Sequence, residues 1–513
     1  MEVLQVTGQP YNDTTIQEYQ FHTYSPYIPG KLNYNDEIRI PIQDLDAYTL
    51  PSPSYLDIEG KLLTHDDKEP TKLKFINNAI SFLFRELRYE LNGVIIDSVR
   101  EVGLVSTIKN YLSLNENESI LFQNAGWFPK AGNEKIIVDA HGNFNVCIPL
   151  RLLSGFFEDF RKIIMNVKQE LILIRSNDDV DAVVSIDDTE RPKVEITKLQ
   201  WNVAHVSPSM REQLRLNSIA HKNIELPIKF RSWQMIEYPS LNNTTRHTWA
   251  VKTSTNIETP RHIIIAFQKG RKSKITKDMS KFDHNDLKNI KVFLNSERYP
   301  YNDLQIDFET NKFVQIYEMF GSFQTSYYNL SLNQPIFNPQ DFKTKTPLIH
   351  IDCSRQKEVI QNGSIVLRIE FETNTPSTTD TVSLTHSTME VGSSSIIVES
   401  GVCDSSTDWD NYSIISDDGP CDSTTNCNLS VWSLSTLELS EEFSSLSESD
   451  MSDIENDSLL YNDVEFQDVL EDDVFLGPVI APPELIEDVS GNNMFCGPEI
   501  TPFELINEPI IIY

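Results

Sequence analysis

Apolar and polar positions alternate with period two along most of the first 372 residues, the mark of strands that bury one face. Ile38, Ile40 and Ile42 alternate with polar neighbours, as do Leu56, Ile58 and Leu62. Glu170 to Arg175 reads as a fully buried strand, and Val194 and Ile196 open another that runs to Trp201 and Val203. Further on, Ile224, Leu226, Ile228 and Phe230 alternate, His262 to Phe267 is continuously apolar, and Leu304, Ile306 and Phe308 alternate again. Ile365, Leu367, Ile369 and Phe371 close the series. Helical spacing is the exception. Phe313, Ile316, Tyr317 and Phe320 predict a helix capped by Thr310 or Asn311, and Val105, Ile108 and Leu112 predict a shorter one. Ser207-Pro-Ser-Met-Arg-Glu-Gln-Leu offers a proline and an acidic first turn to a connecting helix. Many strands and few helices predict a sandwich, of jelly-roll or immunoglobulin-like kind.

One unit occurs twice. Arg88 to Asp97 is a strand, an Asn-Gly turn and a second strand, followed by the short helix around Val105 to Leu112. Lys291 to Pro300 repeats strand, Leu-Asn-Ser and strand, and the helix at Phe313 to Phe320 follows after one further strand. Leu91-Asn92 and Leu294-Asn295 lie 203 residues apart. A duplicated domain and a coincidence of common hairpins both account for this pattern.

Charge divides the chain. After Arg368 no Lys or Arg occurs, and residues 373–513 carry 29 Asp and Glu, whereas the first 372 hold 47 acids against 43 bases. The body is near neutral, with no long-range attraction for nucleic acid or anionic membrane. It is long enough for two domains of ordinary size. The first residues lack the basic and apolar pattern of a secretory signal, and no apolar run is long enough to span a bilayer. Six cysteines, with Cys147 and Cys353 inside apolar segments, predict reduced, buried thiols. The glycosylation-type matches at Asn12, Asn117 and Asn362 then carry no meaning.

With the two hairpin-and-helix units in view, the body resembles the double jelly-roll capsid-like family. Its members are the major capsid proteins of Polinton and adintovirus type, with copies resident in insect and other animal genomes. Residues 7–13, 35–42 and above all 84–99 (Phe-Arg-Glu-Leu-Arg-Tyr-Glu-Leu-Asn-Gly-Val-Ile-Ile-Asp-Ser-Val) carry the likeness in the first half. Residues 225–233, 293–301 and 350–364 carry it in the second. The resemblance covers residues 1 to 373 and stops at the acidic tail, a departure from the family's pattern. It implies two tandem eight-stranded jelly rolls, three copies of which make a pseudo-hexagonal tile of an icosahedral shell.

Jelly rolls can also be enzymes. The ten histidines are dispersed and form no His-Xaa-His pair. His350-Ile-Asp352 has the spacing of an oxygenase iron half-site, but the sole later histidine is His386 and nothing basic follows it. No phosphate loop, dinucleotide fingerprint or nucleophile elbow is present, and no aromatic cleft pattern singles out a glycosidase carboxylate pair. The densest basic stretch, Lys269, Arg271, Lys272, Lys274 and Lys277, reads either as a contact for packaged genome or an import signal, or as a solvated loop. The loop is the favoured reading, because Asp278 returns at once.

Beyond Thr375, Ser, Asp, Glu and Thr dominate, a composition that cannot repay the entropy of folding. Ser447 and Ser452 stand one and three residues before acids, as acid-directed kinases prefer, although any acidic serine-rich run makes such matches. Residues 475–486 return as 495–506 with eight of twelve positions identical, and the identities fall on apolar and turn-forming residues. Such a pair reads as a docking peptide in two linked copies, or as a recent tandem duplication that has begun to drift, with docking the favoured reading.

The resulting expectation is an all-β chain of two tandem jelly-roll sandwiches with a few short helices, over residues 1–206 and 207–373. A disordered acidic tail over 374–513 carries the repeat. The expected role is that of a non-enzymatic capsid subunit of an integrated virus or Polinton-like transposon. It is expected in the virion or inside the cell, in cytoplasm or nucleus, and not secreted. No catalytic, cofactor-binding or metal residue is assigned. Expected partners are copies of the chain, as a homotrimer and a higher-order shell, and a protein that binds the tail repeat. Contact with nucleic acid is expected to be weak at most, and with membrane absent. The alternative is a capsid-derived interaction or regulatory protein acting through its acidic tail.

Overall fold

Among the described residues, the first half of the chain forms ten strands: β1 (Ile16–Tyr24), β2 (Glu37–Ile42), β3 (Thr49–Thr64), β4 (Leu73–Phe75), β5 (Phe84–Leu91), β6 (Val94–Arg100), β7 (Asn143–Pro149), β8 (Gln169–Arg175), β9 (Val183–Ser185) and β10 (Pro192–Pro208). The second half forms eight: β11 (Ile228–Tyr238), β12 (Arg246–Val251), β13 (His262–Gln268), β14 (Leu287–Leu294), β15 (Glu297–Tyr299), β16 (Ile349–Asp352), β17 (Leu367–Thr373) and β18 (Thr381–Gly392). The computed structural model describes residues 15–392, except 28–31, 45–46, 131–137, 223–225, 239–240, 252–259, 296, 356–365 and 377–380. The tail beyond Gly392 with its repeat, Ser447 and Ser452, the segment 7–13, Ile224 and Ile365 lie outside the described residues.

In the first half two four-stranded sheets run β1-β10-β3-β7 and β2-β8-β5-β6, with β4 and β9 as a separate ribbon. In the second half they run β11-β18-β13-β16 and β12-β17-β14-β15. With the ribbon set aside, the two halves have one winding. The first, eighth, third and sixth strands make one sheet, and the second, seventh, fourth and fifth make the other. All the ladders are antiparallel, and inward side chains from both sheets of each half join one core. Two eight-stranded jelly rolls in tandem are the result.

The pattern explains the strands. Ile38, Ile40 and Ile42 are buried while Arg39 and Pro41 face outward, and proline is tolerated because β2 is an edge strand. Pro51 and Pro53 fall where the β10–β3 register slips between Asn202 and Ala204, a bulge that needs no N–H from them.

Among the described residues, eight α-helices complete the fold: α1 (Ala79–Phe82), α2 (Val102–Ser113), α3 (Glu116–Leu121), α4 (Gly155–Asp159), α5 (Met210–His221), α6 (Val314–Gly321), α7 (Phe323–Tyr328) and α8 (Pro339–Lys345). α2 and α3 follow hairpin β5–β6, and α6 to α8 follow hairpin β14–β15, the same place in each winding. α5 links the halves, with Met210 and Leu214 exposed.

Four expectations are corrected. Leu304, Ile306 and Phe308 are buried but form no strand; Leu304 N–H donates to Asn289 Oδ1 and Ile306 N–H to Lys288 O, so the segment hangs from β14 as a loop. α6 starts after Phe313 with no side-chain cap, because Asn311 sits in a left-handed turn and accepts from Lys343 Nζ instead. β11 begins at Ile228, and Leu226 is exposed. The second roll does not end at residue 373. β18 lies between β11 and β13 as its eighth strand, so the fold runs to Gly392. Composition hid this strand: Thr381, Val382, Thr385, Thr388 and Val391 favour strands, but serine and threonine dilute the apolar signal.

Candidate functional site

The halves meet along a seam built by α4 on one side and by β11 and α7 on the other. Asp159, at the end of α4, accepts three N–H groups from Arg231: the backbone N at 2.9 Å, Nε at 2.7 Å and Nη2 at 2.5 Å. Arg231 also donates to Tyr327 O, and its guanidinium lies 3.8 Å from the centre of the Tyr327 ring. A charge so placed is satisfied by fork geometry and by an aromatic face together. Burial alone would lower the Arg231 pKa, but Asp159, with Tyr327 and Glu158 beside it, raises it above its ordinary value. Beside it, the Tyr328 hydroxyl donates to Glu158 Oε1, and Glu158 Oε2 lies 2.7 Å from Lys109 Nζ, whose side chain is almost wholly buried in α2. Gly155 is required here, since a Cβ at that position would stand 1.7 Å from Arg231 O. Phe156 packs edge-on against Phe230 across the same boundary.

A cleft of about 680 Å³ opens on the seam, with Lys109, Glu158, Arg161, Gln324 and Tyr328 in its walls. Its lining contains no histidine or cysteine.

The basic stretch after β13 is the second bridge. Arg271 is held by Asp283 through Nε and Nη2, at 3.0 and 2.7 Å, and Lys272 is held by Glu237 at 3.0 Å with Glu101 of the first half at 3.9 Å. Ser273 N–H donates to Asp181 Oδ1, Ser185 N–H to Ile275 O, and Ile275 is buried. The solvated-loop expectation holds for Lys269, Lys272, Lys274 and Lys277, which are exposed, while Ser273 and Ile275 stitch the segment to the first roll and Arg271 and Lys272 are paired. Burial pushes the Asp181 carboxyl up to about 6, and burial likewise raises Glu101.

His350 and Asp352, the half-site spacing, lie on β16. His350 Nδ1 faces Met319 O at 2.9 Å and its Nε2 faces His262 Nδ1 at 3.1 Å, while Asp352 points outward. Both ring nitrogens of His350 are thus engaged within the protein. Among the described residues, no three His, Cys, Asp or Glu side chains converge. Cys353 is buried and its thiol is pushed well up by burial, whereas Cys147 is half-buried, a partial correction to the expected burial of both.

Exposed apolar side chains gather on the rims. Ile16, Tyr19 and Phe21 on edge strand β1 are each more than two-fifths exposed, and the Phe21 ring leans on Tyr55. Val94 and Ile95 sit at a hairpin tip, Ile120 and Leu121 end α3, and Leu330 and Leu332 stand on the loop after α7. Sequence periodicity missed the β1 group, because a strand exposed on both faces does not alternate.

A family model described as the double jelly roll-like domain matches residues 73–387, more than half of the chain and reaching well into β18. The chain belongs to that family. This double jelly-roll chain is similar to solved capsid proteins. It shares 11% identity with PBCV-1 VP54, covering 75% of this chain and 96% of that one, with a TM-score of 0.46. With the mavirus major capsid protein the values are 12%, 76%, 90% and 0.46, and with the Faustovirus major capsid protein 10%, 75%, 92% and 0.46. No curated protein matches the double jelly-roll chain by sequence. Among its described residues, no helix is long and apolar enough to cross a membrane.

Proposed function

We propose that the chain is a structural capsid subunit of major-capsid type, assembling as trimers that tile an icosahedral shell, and encoded by an integrated virus or a Polinton-like transposon. The observation that carries this reading is the repeated winding. Two rolls of one strand order in one chain give a trimer six similar lobes, which is the geometry lateral tiling needs. The first roll runs to the end of β10, the second from β11 to Gly392, and α5 joins them. Exposed apolar side chains on β1, α3 and the loop after α7 supply contact surface of the kind that self-association buries. Arg271 and Lys272 of the basic stretch are already paired with carboxylates, which supports a contact with nucleic acid that is weak at most. Such a subunit works in the virion after assembly inside the cell. Sedimentation velocity of the purified full-length chain tests the proposal. A species of three chain masses, or larger closed particles, is expected; a concentration-independent monomer contradicts it.

A second reading rests on the tail. The repeat at 475–486 and 495–506 favours a capsid-derived interaction protein whose body is a scaffold. A monomeric chain that binds a host protein through residues 475–506 supports that alternative.

A further inference from the structure

We propose that the His262–His350 pair is an acid-sensitive latch, which holds α7 against the second roll while both rings are neutral and releases it when a ring takes up a proton. The proposal does not depend on the capsid reading.

The proton order follows from the partners. A carbonyl oxygen can only accept, so His350 Nδ1, at 2.9 Å from Met319 O, carries the hydrogen. His350 Nε2 is then the acceptor, and His262 Nδ1, at 3.1 Å, must be the donor. Both rings are almost fully buried, at 4% and 1% exposure, and the tautomers run one way from His262 through His350 to the end of α6. A proton on His350 Nε2 sets two N–H groups against each other. A proton on His262 Nε2 keeps the bond but places a charge in an aromatic pocket.

That pocket is α7. The Phe323 and Tyr327 rings lie 5.7 and 5.3 Å from His262, and Phe323 lies 4.9 Å from His350. The charged and titratable groups around the pair are Asp352 on β16, Arg231 on β11, Arg261 ahead of β13 and the Tyr327 hydroxyl, which accepts from Trp233 Nε1. From β18 the residue opposite His262 is Ser387. Asp352, 3.9 Å away, favours a charged His262, and the two arginines oppose it. Burial, the largest cause, pushes both rings below the ordinary value of 6.5.

The sign follows. A depressed histidine contributes its full stability above pH 6.5 and loses it as the pH falls through the folded value, at about tenfold in the folded-to-unfolded ratio per pH unit for each ring. The effect reaches the seam, because α7 presents Tyr327 to Arg231 and Tyr328 to Glu158.

The test is a pH titration of the full-length chain from 7.5 to 4, followed by tryptophan fluorescence and by the histidine ring NMR signals. His262→Asn keeps a donor near the Nδ1 position and cannot be protonated, so the transition is expected about half a pH unit or more lower. Asp352→Asn keeps the acceptor for Ser354 N–H but removes the compensating charge, so the transition is expected to move to higher pH. Opposite shifts in the two variants support the latch. Wild-type profiles in both, or ring signals that titrate at the ordinary value, overturn it. If His262→Asn is already loosened at pH 7.5, the direction of the Asp352→Asn shift decides alone.

Discussion

Asn92 and Asn295 do the same work in the two halves, and they explain why a Leu-Asn pair recurs. Each stands in the left-handed region, at φ 48° and 52°, where asparagine is among the few non-glycine residues tolerated. Asn92 N–H donates to Lys168 O, and Lys168 N–H donates to Asn92 Oδ1 at 3.0 Å. Asn295 N–H donates to Val366 O, and Val366 N–H donates to Asn295 Oδ1 at 3.0 Å. Lys168 and Val366 directly precede β8 and β17, so each asparagine fastens a hairpin tip to the start of the seventh strand. Replacement by alanine removes the side-chain acceptor and strains the turn. Asn92→Ala and Asn295→Ala are each expected to cost about 1–2 kcal/mol in chemical denaturation, and the glycine variants less. Asp181 gives a residue-scale test of opposite pH sign to the histidines. Its pKa is raised to about 6, so the stability it contributes is present at acid pH and is lost as the pH rises through 6. Asp181→Asn, which keeps an acceptor for Ser273 N–H, is expected to raise the melting temperature at pH 7.5 and to leave it unchanged near pH 4.

Among the elements, α4 shows how a short helix governs the seam. Its glycine permits contact with the β11 backbone, and its last residue gathers three N–H groups of Arg231. Asp159→Ala leaves a largely buried guanidinium without its carboxylate and is expected to destabilise by about 2–4 kcal/mol. Gly155→Ala is expected to cost about 1–3 kcal/mol, since the backbone facing it cannot give way as a side chain can. Thermal unfolding of the two variants checks both values. Neither contact was legible beforehand, because Asp159 and Arg231 are 72 positions apart and no periodicity pairs them. The strands β2 and β3 were legible because one buried face imposes period two, and β8 and β13 because strands buried on both faces read as short apolar runs. So was the Asn-Gly hairpin, whose φ values of 48° and 78° are those the tight turn needs. Leu304 to Phe308 misled because buried positions in a loop imitate that period, and β18 was missed because serine and threonine occupy many of its positions and dilute the apolar signal.

At the scale of the molecule, the second roll closes only through β18, which pairs with β11 and β13. A chain ending at Thr373 is expected to lose the cooperative unfolding of its second roll, whereas a chain ending at Gly392 is expected to keep it. Calorimetry of the two truncations separates these outcomes. The repeated winding also sets the expected assembly, in which three copies present six lobes of one construction. Electron microscopy of the purified full-length chain tests that claim most directly. Three-fold particles with six similar lobes, alone or tiled into closed shells, are expected, and a field of isolated two-lobed monomers at every concentration would contradict that assembly.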